Sequence, residues 1–104
     1  MEVRIFDKVL EEFIQSLEKP TFARVLRTIG LLKTFGNKLG MPHSKKVVAR
    51  IFELRVRGEQ NVRILYTFHK TKAVLLHGFV KKSNKIPNKE VKIALSKLSA
   101  LDRI

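Results

Sequence analysis

Arg55, Arg57 and Arg63 lie close together in the chain, and KKSNK (81–85) follows them with Lys81, Lys82 and Lys85. Guanidinium forks match phosphate oxygens two at a time, and lysines add compact point charges, so such a set suits phosphate chemistry. His77 and Tyr66 are groups that could move a proton. Other chemistries find no residues. Cysteine is absent, which removes thiolate zinc sites, disulfides and a cysteine nucleophile together. His43, His69 and His77 lack the spacing of metal ligands, so no metal and no cofactor is expected. Ser44, Ser83, Ser96 and Ser99 sit in no nucleophile elbow, and no glycine-rich phosphate loop occurs, which argues against a serine triad or an NTPase.

The residues between these groups indicate the elements that carry them. Phe6, Val9, Leu10, Phe13, Ile14 and Leu17 recur every three or four residues, the apolar face of a helix over 6–17. Pro20 suits the first turn of a second helix, in which Phe22, Val25, Leu26, Ile29, Leu32 and Phe35 keep the period until Gly36-Asn37. Residues 36–50 read as a loop, with SKKVVAR able to form a turn of helix. The period then becomes two. IFELRVR (51–57), VRILYTFHK (62–70) and AVLLHGFVKK (73–82) read as three strands joined by turns at GEQN and KTK, and a last helix is expected over 88–101. Met1–Phe6 is a candidate leading strand. The fold class is α+β: two N-terminal helices packed on one face of an antiparallel β-meander, with a C-terminal helix.

Strict alternation puts Phe52, Leu54, Val56, Val62, Ile64, Tyr66 and Phe68 on the helix-covered face. The opposite face then presents Glu53, Arg55, Arg57, Arg63, Thr67, His69, His77 and Lys81 as one groove. In the third strand the same alternation sets Val74, Leu76, Gly78 and Val80 against Ala73, Leu75, His77, Phe79 and Lys81. Arg55 and Arg57 could equally be a solvated strand face paired with Glu53 or Glu59, and KKSNK a solvated loop. His77 could be no more than a strand residue satisfied by a neighbour.

The charge favours the groove. The 104 residues hold 22 Lys and Arg against 9 Asp and Glu, a formal net charge of +13. Residues 1–18 carry −3 and the remaining 86 carry +16, interleaved with apolar residues and so part of folded elements. Such self-repulsion points to a polyanionic partner. With 44% hydrophobic and 30% charged residues, one globular domain over 1–104 is expected. No apolar run is long enough to span a bilayer, and the acidic start is unlike a signal peptide, so a cytoplasmic protein without membrane contact is expected.

Glu53-Leu54-Arg55, Arg63 to Tyr66 and LLHGFVKKSNKIP (75–87) together resemble the RelE/HigB superfamily of bacterial toxins, in particular its phage-derived HigB-like branch. The resemblance extends through Leu39-Gly40 over nearly the whole chain. It implies a RelE-like, microbial-ribonuclease-like fold and a ribosome-dependent mRNA endonuclease of a type II toxin–antitoxin system. It also implies a helix-turn-helix antitoxin, bound in a toxin–antitoxin hetero-oligomer. Cleavage would be metal-independent, by attack of the RNA 2′-OH on the adjacent phosphate. On this likeness Arg55 and Arg63 are assigned to the phosphate, and Arg57, Lys45, Lys46, Lys81 and Lys89 to RNA binding. Relatives place a catalytic tyrosine or histidine near the C-terminus, whereas here neither occurs after His77. His77, Tyr66, Lys82 and Lys85 are therefore the candidate acid–base groups. Two other readings stand beside this one: a ParE-like inhibitor of DNA gyrase, and a phage relic that binds RNA or its antitoxin without cleaving.

Overall fold

The computed structural model describes residues 1–104 as five strands and three helices: β1 (Glu2–Ile5), α1 (Lys8–Gln15), α2 (Lys19–Phe35), β2 (Ser44–Val48), β3 (Ile51–Val56), β4 (Val62–His69), β5 (Lys72–Val80) and α3 (Asn88–Asp102). The strands form one sheet in the order β1-β5-β4-β3-β2, with β1 parallel to β5 and the other pairs antiparallel. The fold is α+β, and the leading strand is present. Residues 44–48, expected to be loop or helix, are instead the edge strand β2. Lys45 and Lys46 pair with Glu53 and Phe52 across the register. Five residues with one bulge are too short and too polar to show a two-residue period.

Local chemistry starts and stops the helices. The Asp7 carboxylate accepts the Leu10 N–H at 3.0 Å and caps α1. Pro20 falls in the first turn of α2, where a missing N–H costs nothing. Gly36 ends α2 at φ 55°, the left-handed region that a side chain would strain. Not every expected apolar position is inward: Val9 is 66% exposed, Leu26 50% and Phe35 52%. Phe6 precedes α1 and packs toward α3 instead.

Two apolar layers sandwich the sheet. α1 and α2 supply Leu10, Ile14, Val25 and Leu32, which bury Leu54, Val56, Val62, Ile64, Tyr66, Ala73 and Leu75 on one face. α3 supplies Ala94, Leu98 and Leu101, which bury Ile51, Leu65, Val74 and Leu76 on the other, together with Phe79. The second face is thus not an open groove along its whole length. Thr67 is fully buried there, with its hydroxyl donating to the Arg50 carbonyl at 2.7 Å. The Arg50–Asp102 ion pair, at 2.7 Å, ties the C-terminal end of α3 to the β2–β3 turn. Only the part of that face near Arg57, Arg63 and Lys81 stays open.

Strict alternation also fails once in β5. Leu65 pairs with His77 but Tyr66 pairs with Leu75, so Leu76 is an extra residue and the strand changes phase there. Ala73 and Leu75 face α1 and α2, whereas Phe79 faces α3. Gly78 sits against α1, where an added Cβ would lie 2.8 Å from Phe13 and 3.0 Å from Leu10.

Candidate functional site

The open end of the α3-side face is floored by a carboxylate between two guanidinium groups. Glu53 and Arg55 alternate onto that face of β3, and Arg63 stands opposite Arg55 on β4. Arg55 Nε lies 3.5 Å from Glu53 Oε1, and Arg63 Nε lies 3.7 Å from Glu53 Oε2. The Arg63 and Glu53 side chains are only 5% and 6% exposed, so this pairing is shielded from solvent. It is ion pairing without hydrogen bonds: Glu53 Oε2, Arg55 Nε and Arg63 Nε are all buried without a hydrogen-bond partner. Burial pulls the Arg63 guanidinium below its ordinary pKa; Glu53 opposes that, while Arg55 and Arg57 add to it. An arginine so placed still keeps its charge.

Above this floor the loop after β5 builds a wall. The Lys81 N–H donates to the Asn61 carbonyl at 2.7 Å, which holds the loop's start against the β3–β4 turn. The Ser83 hydroxyl donates to the Lys85 carbonyl at 2.8 Å and folds the loop back on itself. A cleft of about 380 Å³ results, lined by Arg57, Asn61, Arg63, Lys81, Lys82, Ser83 and Asn84, with no apolar and no acidic side chain. A second recess of about 290 Å³ shares Lys81 and Asn84 and continues to Lys45, Lys46, Glu53 and Lys85. Seven of the eleven residues assigned from sequence line this surface. They are Arg57, Arg63, Lys81, Lys82, Lys85, Lys45 and Lys46; Arg55 lines neither recess and approaches them only through its Nε, 3.5 Å from Glu53 Oε1. Lys89 is exposed on the first turn of α3 and lines neither recess.

Two proposed proton-transfer groups lie elsewhere. Tyr66 is 1% exposed on the α1/α2 side of the sheet, its hydroxyl 2.6 Å from Ser44 Oγ. Burial raises its pKa, with the Ser44 hydrogen bond opposing, so it is a neutral core residue locked by a neighbour. The parity of β4, which aligns it with Ile64, is the physical reason. His77 is at the bulge, on the α3 side, with Nε2 3.1 Å from Glu90 Oε1 and its ring stacked near Phe79. It fastens the first turn of α3 to the sheet and lines neither recess. Nearby, Lys97 Nζ lies 2.9 Å from Asp7 Oδ2 and donates to the Leu76 carbonyl at 2.9 Å, so these charges serve the helix packing.

Sequence reasoning placed Glu53 on the groove face and as a partner for Arg55 or Arg57, and gave it no part in the chemistry. The signal was present: it is the one acid whose neighbours two and four residues on, Arg55 and Arg57, are both bases on its own strand face. Arginine forks over a buried carboxylate, ringed by lysines and amides, can hold a phosphodiester and offset charge that builds on it. Glu53 is among the residues that line the second recess, and a carboxylate there can accept a proton. No group of three or more His, Cys, Asp or Glu side chains converges as a metal site. No helix is long and apolar enough to cross a membrane. A comparison with curated proteins gives no match. The family model of phage derived protein Gp49-like (DUF891) matches residues 12–99, which takes in the whole cleft, and the chain belongs to that family.

Proposed function

We propose that this protein is the toxin of a type II toxin–antitoxin system and that it cleaves mRNA on the ribosome. The observation that carries the reading is the cation-lined cleft that holds Arg63, joined to a second recess in which the Arg63 partner Glu53 lies. Membership of a phage-derived family supports it, as does the likeness of the E-L-R, R-I-L-Y and LLHGFVKKSNKIP segments to RelE/HigB toxins. A RelE-like fold belongs to the same reading.

RNA carries its own nucleophile, so the protein need only hold the phosphate and move protons. The 2′-oxygen bonds to phosphorus as the bond to the 5′-oxygen breaks, leaving a 2′,3′-cyclic phosphate and a 5′-hydroxyl. Arg63 and Arg57, the two arginines that line the cleft, hold the phosphate oxygens as their charge grows, worth about 3 kcal/mol for a well-placed donor. Glu53 takes the 2′-hydroxyl proton, and Lys82 or Lys81 supplies one to the departing 5′-oxygen, each step worth on the order of 10²- to 10⁴-fold. An antitoxin that covers the cleft with acidic residues would silence the enzyme, and the +13 charge favours such a partner.

Induced expression tests this. Wild type is expected to arrest growth with mRNA cuts inside codons. Arg63→Ala and Lys82→Ala are each expected to cut at least about 100-fold more slowly. Full arrest by both variants would refute the site. Inhibition of gyrase supercoiling with mRNA intact would put the ParE-like reading in its place.

A further inference from the structure

A third recess lies round the edge of the sheet from the cleft, where α2 passes the segment before β2. Its volume is about 190 Å³, and its lining holds four arginines, His43 and no acid. Arg24 and Arg27 come from one face of α2, three residues apart, where like charges weaken a helix. Neither has an acidic partner. Arg24 Nη1 donates to the Arg57 carbonyl at 3.2 Å, which docks α2 against the rim of the main cleft. Arg57 lines both this recess and the main cleft, and Arg55 lines this one while its Nε faces Glu53 of the second recess. Leu31, Pro42 and Val56 give the recess an apolar floor beneath the cations.

We propose that this recess is a second nucleic-acid subsite, which holds the phosphodiester backbone of the same RNA strand where it leaves the main cleft past Arg57. The inference rests on the RNA reading of the main cleft. Arg24, Arg27 and Arg57, which have no acidic partner, together with Arg55, which is paired only with Glu53, form a site for successive phosphates, and the apolar lining with His43 offers a base a surface to lie on. Continuity through Arg55 and Arg57 favours one strand running through both recesses over a separate acidic peptide. The subsite is sequence-tolerant, because its cations meet the backbone.

Fluorescence anisotropy with labelled single-stranded RNAs of about 4 and about 15 nucleotides tests it, over a range of salt. Wild type is compared with Arg27→Gln and with Arg24→Gln/Arg27→Gln, their folding checked by circular dichroism. Arg27 makes no hydrogen bond or ion pair in the fold, so the single variant reports even if the double variant unfolds. Loss of two phosphate contacts is expected to reduce the salt slope for the long RNA by about 1.4, and the single loss by about 0.7. The long RNA should bind at least about tenfold more weakly to the double variant, and the short one unchanged. An unchanged slope for the long RNA would overturn the subsite alone. So would unchanged RNA binding with loss of binding to a poly-glutamate peptide, which would mark the recess as a site for an acidic protein. Failure of wild type to bind RNA of either length at low salt would overturn the underlying RNA reading as well.

Discussion

Glu53 is held between Arg55 and Arg63 with one oxygen, Oε2, that no donor satisfies. A carboxylate kept only for stability would be expected to gain hydrogen bonds from its arginines, because a buried pair at ion-pair distance repays its desolvation poorly. Glu53→Gln separates the two roles. The amide keeps the shape and an acceptor but cannot take a proton. It is expected to lower cleavage by about 10²- to 10⁴-fold and to leave RNA binding as tight as wild type or tighter, since a negative charge has gone. Both variants leave two guanidinium groups without a counter-charge and should lose stability; Glu53→Ala, which also removes the acceptor oxygens, should lose more, about 3 kcal/mol or above. Full cleavage by Glu53→Gln would return the proton to the lysines. At this scale the sequence disclosed residue types better than roles. Arg63 and the lysines of KKSNK could be found from charge alone. Alternation already set Tyr66 on the helix-covered face, where it lies, whereas the Glu90 partner of His77 could not be read before α3 was placed, and Glu53 was hidden because an acid among bases reads first as a neutraliser.

Among the elements, long apolar periods were legible and short or irregular ones were not. α1, α2, α3 and the three central strands repeat their pattern over enough residues to show it. β2, with five residues and a bulge, did not, and its discovery matters because it carries Lys45 and Lys46 to the cleft. The second lesson lies in β5. One extra residue at Leu76 reverses which residues face which helix, so the strict two-residue rule put Ala73 and Phe79 on one face when they lie on opposite ones. The bulge keeps Leu76 under α3 and leaves Gly78 facing Phe13 and Leu10 of α1. Gly78→Ala is the test of that geometry. A methyl group 2.8 Å from the Phe13 ring must push α1 off the sheet, at a cost of about 1–3 kcal/mol in denaturant unfolding. RNA binding should be retained, because the cleft's lining comes from the other side of the sheet. A substitution that left stability unchanged would mean that residue 78 does not pack against α1.

Taken as a whole, the molecule measures 36 × 30 × 25 Å and carries +13. At about 0.01 M salt the screening length is about 30 Å, so every cation feels nearly every other; at 0.15 M it is about 8 Å, and repulsion is confined to neighbours in the cleft. The concentration of bases around Arg63, Lys81, Lys82 and Lys85 therefore opposes folding in the free protein, and a polyanion that binds there removes the opposition. Two measurable consequences have the same cause. The thermal midpoint should rise between about 0.01 and 0.15 M salt and flatten beyond it. Lys82→Gln/Lys85→Gln should raise the midpoint by about 2–4 °C at the low end, and by less at 0.15 M, while weakening RNA binding. Both lysines are exposed and neither is in a salt bridge, so their removal breaks no internal contact of the side chains. A midpoint that ignores salt over this range, or a double variant less stable than wild type at low salt, would mean that the cations are neutralised within the fold and are not held ready for a partner.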